Sequence, residues 1–127
     1  MGSLIDRSIT EFRDNILTTT GQNSFNYCER LTLLDLPNLI NISLQSFERT
    51  NLTTLILRSD TMCKLSAVNA LSYTPIMRKT GYIYVPASLI DSYKSATNWS
   101  TYANQFRAIE DYTVDGTITG ELDETKI

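Results

Sequence analysis

Residues 9–30 and 31–52 can be written one above the other at a constant offset of 22. Ile9-Thr10-Glu11-Phe12 falls on Leu31-Thr32-Leu33-Leu34, Leu17 on Leu39, Thr20-Gly21 on Ile42-Ser43, and Ser24-Phe25 on Ser46-Phe47. A third copy, Leu52-Thr53-Thr54-Leu55-Ile56-Leu57, repeats Leu31 to Leu36 at an offset of 21, and its later part stretches so that Ala70-Leu71 replaces Ser46-Phe47 at 24. Tyr82-Ile83-Tyr84-Val85-Pro86 is a fourth, partial copy, in which Val85-Pro86 echoes Leu36-Pro37. Self-similarity at such a period constrains the fold more than any local propensity. One short unit cannot bury its own apolar face, so neighbouring units must stack. Leu34 and Leu36 alternate as on a strand, which places Asp35 between them on the outward face. Stacking brings Leu55 and Leu57 against them, and Phe25 and Phe47 close the opposite wall. Asp14 breaks the pattern where later copies carry Leu36 and Leu57.

The expected fold class is an α+β repeat solenoid. Each coil has one short parallel strand, followed by a turn and an irregular or 3₁₀ return, and the C-terminal end carries a helical cap. Residues 4–86 hold about three and a half coils and 87–110 the cap. After Pro86, Leu89, Tyr93 and Ala96 share one helical face, widened by Ile90. Trp99, Tyr102 and Phe106 form an aromatic row. It reads as the seal on the open end of the stack, with a sugar-binding patch as the alternative. Residues 111–127 form an acidic tail, in which Asp115-Gly116 between Thr113-Val114 and Thr117-Ile118 is a hairpin signal. Met1-Gly2-Ser3 reads as an expression scar, so the chain is expected to be cut from a longer protein.

Composition limits the chemistry. The chain has 127 residues, 42% of them apolar, and no histidine. That length suits one domain with a real core. The missing histidine excludes Ser-His-Asp and Cys-His catalysis and His-ligated zinc or haem. Cys28 and Cys63 are too few for a disulfide framework or a four-thiolate metal site; they read as buried thiols, with a single disulfide as the alternative. The net charge of −3 is concentrated in residues 110–127, which carry −5, and the cations elsewhere are scattered apart from Arg78-Lys79. That balance argues against nucleic acid. No apolar run approaches the ~18 residues of a membrane helix, so membrane insertion is not expected. Asp111 to Gly116 opens like a calcium loop, but the twelfth position is Leu122 rather than the required Glu. Asn41-Ile42-Ser43, Asn51-Leu52-Thr53 and Asn98-Trp99-Ser100 match the N-glycosylation pattern and read as coincidences. No cofactor and no metal are expected.

Phe25-Asn26-Tyr27-Cys28-Glu29-Arg30-Leu31 followed by Leu36-Pro37 resembles the F-x-x-C-x-x-L…L-P unit of BspA-like leucine-rich repeats. Gly81-Tyr82-Ile83-Tyr84-Val85-Pro86, Tyr93-Lys94 and Trp99-Ser100-Thr101-Tyr102-Ala103 resemble the terminal cap of such arrays. The resemblance spans residues 4–110. Thr50 stands where a second repeat cysteine belongs. The resemblance implies a non-enzymatic recognition or adhesion module that binds a protein or glycan on a cell surface or outside the cell. The alternative it implies is a structural or assembly part of a bacteriophage virion, in the tail or a fibre. It carries over no fixed functional residues. The outer strand face and its flanks supply the candidate ligand-binding set: Thr32, Leu33, Asp35, Thr53, Thr54, Ile56, Arg58 and Tyr84. An uncapped N-terminal edge (Ile9, Phe12, Leu17) is expected to self-associate or to meet a partner. No catalytic residues are expected. A carboxylate hydrolase using Asp6/Glu11 or Asp60/Asp91 is the remote alternative, and neither pair has a recognisable spacing.

Overall fold

A computed structural model describes residues 8–21, 25–111, 113–114 and 117–118. Met1-Gly2-Ser3, Asp6, most of the acidic tail and the greater part of the failed calcium loop lie outside the described residues.

The strands are short and arrive in chain order as β1 (Glu11–Arg13), β2 (Leu33–Asp35), β3 (Asn41–Ile42), β4 (Thr54–Ile56), β5 (Lys64–Leu65), β6 (Tyr82–Val85) and β7 (Phe106–Ala108). β1, β2, β4, β6 and β7 form one five-stranded sheet in that order, every pair parallel. β3 and β5 make a second, two-stranded parallel sheet, joined at its margin by a parallel bridge from Thr19 to Asn41. The helix α1 (Ile90–Ser95) follows a 3₁₀ turn over Ala87–Leu89, and β8 (Thr113–Val114) pairs antiparallel with β9 (Thr117–Ile118). The result is a small α/β domain built on a parallel sheet.

The sheet register coincides with the sequence repeat. Phe12 faces Leu34 at an offset of 22, Leu34 faces Leu55 at 21, Leu55 faces Ile83, and Ile83 faces Phe106. These side chains point to one face and form a continuous row across the sheet, because a strand alternates its side chains with period two. Leu34, Leu55 and Ile83 are fully buried, and Phe12 packs half-buried at the edge. Leu36, Leu57 and Val85 form the next row of the same core. Phe25, Phe47, Ala70 and Leu71 close the opposite wall. Ile9 and Leu17 are half-buried and pack against the cluster.

Backbone groups outside the strands are satisfied by the same stacking. The N–H of Thr32 donates to the Thr10 carbonyl (2.8 Å), that of Thr53 to Thr32 (3.0 Å), and that of Tyr82 to Thr53 (2.8 Å). On the far wall Phe25 donates to Ser46 (2.8 Å) and Phe47 to Ala70 (2.9 Å). Two threonine hydroxyls double the first ladder: Thr32 Oγ1 donates to Thr10 O and Thr53 Oγ1 to Thr32 O. Threonine at that repeat position thus gives each carbonyl a second donor beside the main-chain N–H. Asp14 departs from the leucine pattern because its carboxylate accepts the N–H groups of Ile16 (2.7 Å) and Leu17 (3.1 Å) and closes a turn.

The last unit presents carbonyls that no further strand covers, and the C-terminal segment supplies donors to them. Trp99 Nε1 donates to Cys63 O, Asn98 Nδ2 to Leu65 O, Tyr102 Oη to Val68 O and Gln105 Nε2 to Gly81 O, each at 2.7 Å. Tyr93 Oη accepts the Cys63 N–H at 2.6 Å. Tyr93, Trp99 and Phe106 pack on one another with ring centroids 5.3–5.8 Å apart. Such a buried cluster supplies both apolar area and edge-to-face attraction.

Gly81 sits where the chain enters β6. A Cβ there would lie 2.9 Å from both the Thr53 backbone and the Ile76 side chain. The backbone cannot give way without parting β4 from β6. Gly81→Ala is expected to destabilise the fold by about 1–3 kcal/mol, read as a lowered urea midpoint at unchanged slope.

Candidate functional site

The face of the five-stranded sheet opposite the core carries two rows. One runs Glu11, Leu33, Thr54, Tyr82 and the other Arg13, Asp35, Ile56, Tyr84, Arg107. Six of the eight candidate residues are buried or committed to contacts within the fold. Leu33 is only 8% exposed and Ile56 fully buried, in a second apolar cluster with Ile109, against which Tyr84 packs. The expectation that Leu33 and Ile56 are exposed apolar contacts is therefore corrected. Parallel sheets are normally covered on both faces, and here Ile109, just beyond β7, contributes to the cover. Thr32 and Thr53 are half-buried, with their hydroxyls committed to the threonine ladder.

Asp35 needs the larger correction. It points away from the core row, as alternation requires, yet it is fully buried instead of facing solvent. Arg58 reaches back over it, donating from Nε to Oδ1 and from Nη2 to Oδ2, both at 2.9 Å. Its carboxyl is pushed above its ordinary value by burial, opposed by the hydrogen bonds and charge of Arg58 and by the charge of Arg13. A two-pronged guanidinium–carboxylate pair is the geometry that best compensates such a buried charge. Both members are thereby taken up by the structure.

What stays open is different from the expected set. Thr54 and Tyr84 are half-buried, and Tyr82, on the same face two residues before Tyr84, is 38% exposed. The Tyr82 and Tyr84 rings meet edge-on at 6.4 Å, and the Arg107 guanidinium lies 4.6 Å from the Tyr82 ring centroid. Arg107 is held there by hydrogen bonds from Nη1 to the carbonyls of Asn104 (3.0 Å) and Phe106 (2.7 Å). The Tyr84 hydroxyl is shifted up by burial and by Tyr82, and down by Arg107. The i, i+2 spacing of Tyr82 and Tyr84 in a strand was the signal for a shared face; nothing in the sequence pointed to Arg107. Beyond Asp35 the face continues into an open groove of about 650 Å³ lined by Arg13, Asn15, Ile16, Asn38 and Arg58. Arg13 is tied to Glu11 at 2.6 Å.

The other candidates find structural places. Trp99, Tyr102 and Phe106 are buried to within 2%, so they offer no sugar-binding patch. Cys28 and Cys63 are buried and not joined in a disulfide, and burial pushes the Cys63 thiol up to about 12. Asp60 and Asp91 are both exposed, and among the described residues no group of three His, Cys, Asp or Glu side chains could hold a metal ion. No helix in the described residues is long and apolar enough to cross a membrane. No protein-family model matches this chain, and no curated protein sequence matches it.

Arg58→Met leaves Asp35 buried without its partner and is expected to cost about 3 kcal/mol. Asp35→Leu combined with Arg58→Met should recover most of that loss, and urea unfolding of the three variants measures both. The pH dependence has a defined sign. A carboxyl raised in the folded state contributes stability that is full below its ordinary value of 3.8 and is lost as pH rises through the raised folded value. Asp35→Asn is expected to remove that fall in the window just above 3.8, seen by comparing unfolding free energies across the acid range. Both thiols should resist iodoacetamide at about pH 8 until denaturant is added, because both are buried away from the reagent; mass spectrometry counts the labels.

Proposed function

We propose that this chain is a leucine-rich-repeat solenoid of the kind it resembles, working as a recognition module for a protein or glycan at a cell or virion surface rather than as an enzyme. Three features support the solenoid. The parallel pairs recur at offsets of 22 and 21, the threonine and main-chain ladders follow the same period, and the aromatic segment supplies donors to the last open edge. Repetition of this kind yields a rigid, extended surface, which suits binding.

The observation that carries the recognition reading is the Tyr82–Tyr84–Arg107 cluster. Three side chains from adjacent strands are fixed by mutual contact and main-chain hydrogen bonds, yet remain reachable from solvent. Tyrosine and arginine are the residues that most often dominate binding energy at interfaces, and prior immobilisation lowers the entropic cost of binding. Thr54 and the groove beyond Arg58 extend this surface along the sheet.

The test is an array of cell-surface glycans and extracellular-matrix proteins probed with the labelled chain. Hits are then titrated against Tyr82→Ala and Arg107→Ala. The expected result is saturable binding weakened at least about tenfold by either change, at unchanged thermal stability. An array without saturable hits, or hits indifferent to both changes, would overturn the reading.

A further inference from the structure

A second surface lies two residues beyond the back-wall positions Phe25, Phe47 and Leu71. Tyr27, Arg49 and Tyr73 occupy it, one from each successive repeat. All three adopt left-handed backbone, with φ of 62°, 63° and 60°. Residues with a Cβ rarely take that conformation, and glycine is the usual choice. Main-chain bonds hold them in register: Tyr27 N–H donates to Glu48 O (2.9 Å) and Arg49 N–H to Ser72 O (3.0 Å). Their side chains then stack, with the Arg49 guanidinium 5.5 Å from the Tyr27 ring centroid and 4.2 Å from that of Tyr73. Tyr27 and Tyr73 are 42% and 54% exposed.

The guanidinium between these rings has no carboxylate and no hydrogen-bond acceptor among the described residues. Its planar fork of N–H donors is therefore fixed by the rings and unspent. Arg49 borders a groove of about 290 Å³ shared with Tyr27, Tyr73, Asn51, Arg78 and Glu29. The side chains of Arg78 and Glu29 are likewise without an ionic partner among the described residues. The groove thus offers two cationic donors, one anionic acceptor, an amide and two aromatic rings. A carboxylate suits the Arg49 fork. A uronate can set its carboxylate on Arg49 while hydroxyl groups of the sugar donate to Glu29 and the ring lies on tyrosine, whereas an acidic peptide side chain brings no hydroxyl donor beside its carboxylate.

We infer that the Tyr27–Arg49–Tyr73 ladder is a binding site for a carboxylate-bearing saccharide of the uronate type. Arg49 receives the carboxylate, Arg78 adds long-range attraction, Glu29 and Asn51 take hydroxyl groups, and the exposed Tyr73 ring supports the sugar ring. The site shares no residue with the Tyr82 cluster and does not depend on it.

Calorimetric titration of the full chain with oligogalacturonate tests the inference. Its methyl ester and poly-glutamate serve as comparison probes, and Arg49→Gln, Arg49→Gly, Tyr73→Ala and Arg107→Gln as variants. Saturable binding of oligogalacturonate is expected, weakened at least about tenfold by methyl esterification, by either Arg49 change and by Tyr73→Ala. Arg49→Gly suits the left-handed backbone and should retain the thermal midpoint, which separates lost binding from lost folding. Binding lost in Arg107→Gln but kept in Arg49→Gln would move the ligand to the Tyr82 surface and overturn the inference, so the two sites are told apart. The inference is overturned by absent binding, by an ester that binds equally, by poly-glutamate binding at least as tightly, or by binding that survives Arg49→Gln.

Discussion

The lateral pairing of Leu34 with Phe12 on one side and Leu55 on the other holds the rest of the molecule in place. No repeat has enough apolar surface to fold alone, and its three-residue strands are too short to be stable in isolation. Placed side by side in parallel, they bury one leucine row after another. The same register aligns the Thr10, Thr32 and Thr53 ladder, the back-wall phenylalanines and the left-handed rungs at Tyr27, Arg49 and Tyr73. One geometric relation therefore builds both the core and the two surfaces proposed for binding.

A stack of this kind must end, and the end here is chemical as well as apolar. Tyr93, Trp99 and Phe106 cover the last leucine row, while Trp99, Asn98, Tyr102 and Gln105 each give a hydrogen to a carbonyl that another strand would otherwise have satisfied. Aromatic residues with a polar edge serve both ends at once. That dual role accounts for Trp99 and Tyr102 being buried to within about 1% instead of offering their faces to a ligand. The rings this C-terminal segment leaves exposed include Tyr82 on the sheet and Tyr73 on the rim, and the proposed recognition rests on these.

Much of this was legible in the sequence, and what was not has physical reasons. The offsets of 22 and 21 named the pairs Phe12–Leu34 and Leu34–Leu55 before any coordinates. The longer step from Leu55 to Ile83 was blurred, because the Val68–Leu71 3₁₀ turn and the loop through Pro75 lengthen the third repeat. Alternation told which face Asp35, Leu33 and Ile56 take, but not what lies over that face. Arg58 follows Asp35 by 23 residues and Ile109 is far along the chain, so neither cover has a local signature. The Tyr27–Arg49–Tyr73 rungs did have one, two positions after each back-wall residue. It was hidden by the change from aromatic to cation to aromatic, since the three rungs share a backbone conformation and not a residue type.

Residue-resolved amide hydrogen exchange in the native state tests the stacked register most directly. The N–H groups of Thr53, Leu57 and Tyr82 donate across strand boundaries to Thr32, Tyr84 and Thr53. They are expected to exchange only through global unfolding, with Ile16, bonded to a side chain at the sheet's β1 edge, exchanging faster. Rapid exchange at Thr53, Leu57 and Tyr82, comparable to that of Ile16, would contradict the account, because the parallel pairing that carries both surfaces would then not be the stable part of the fold.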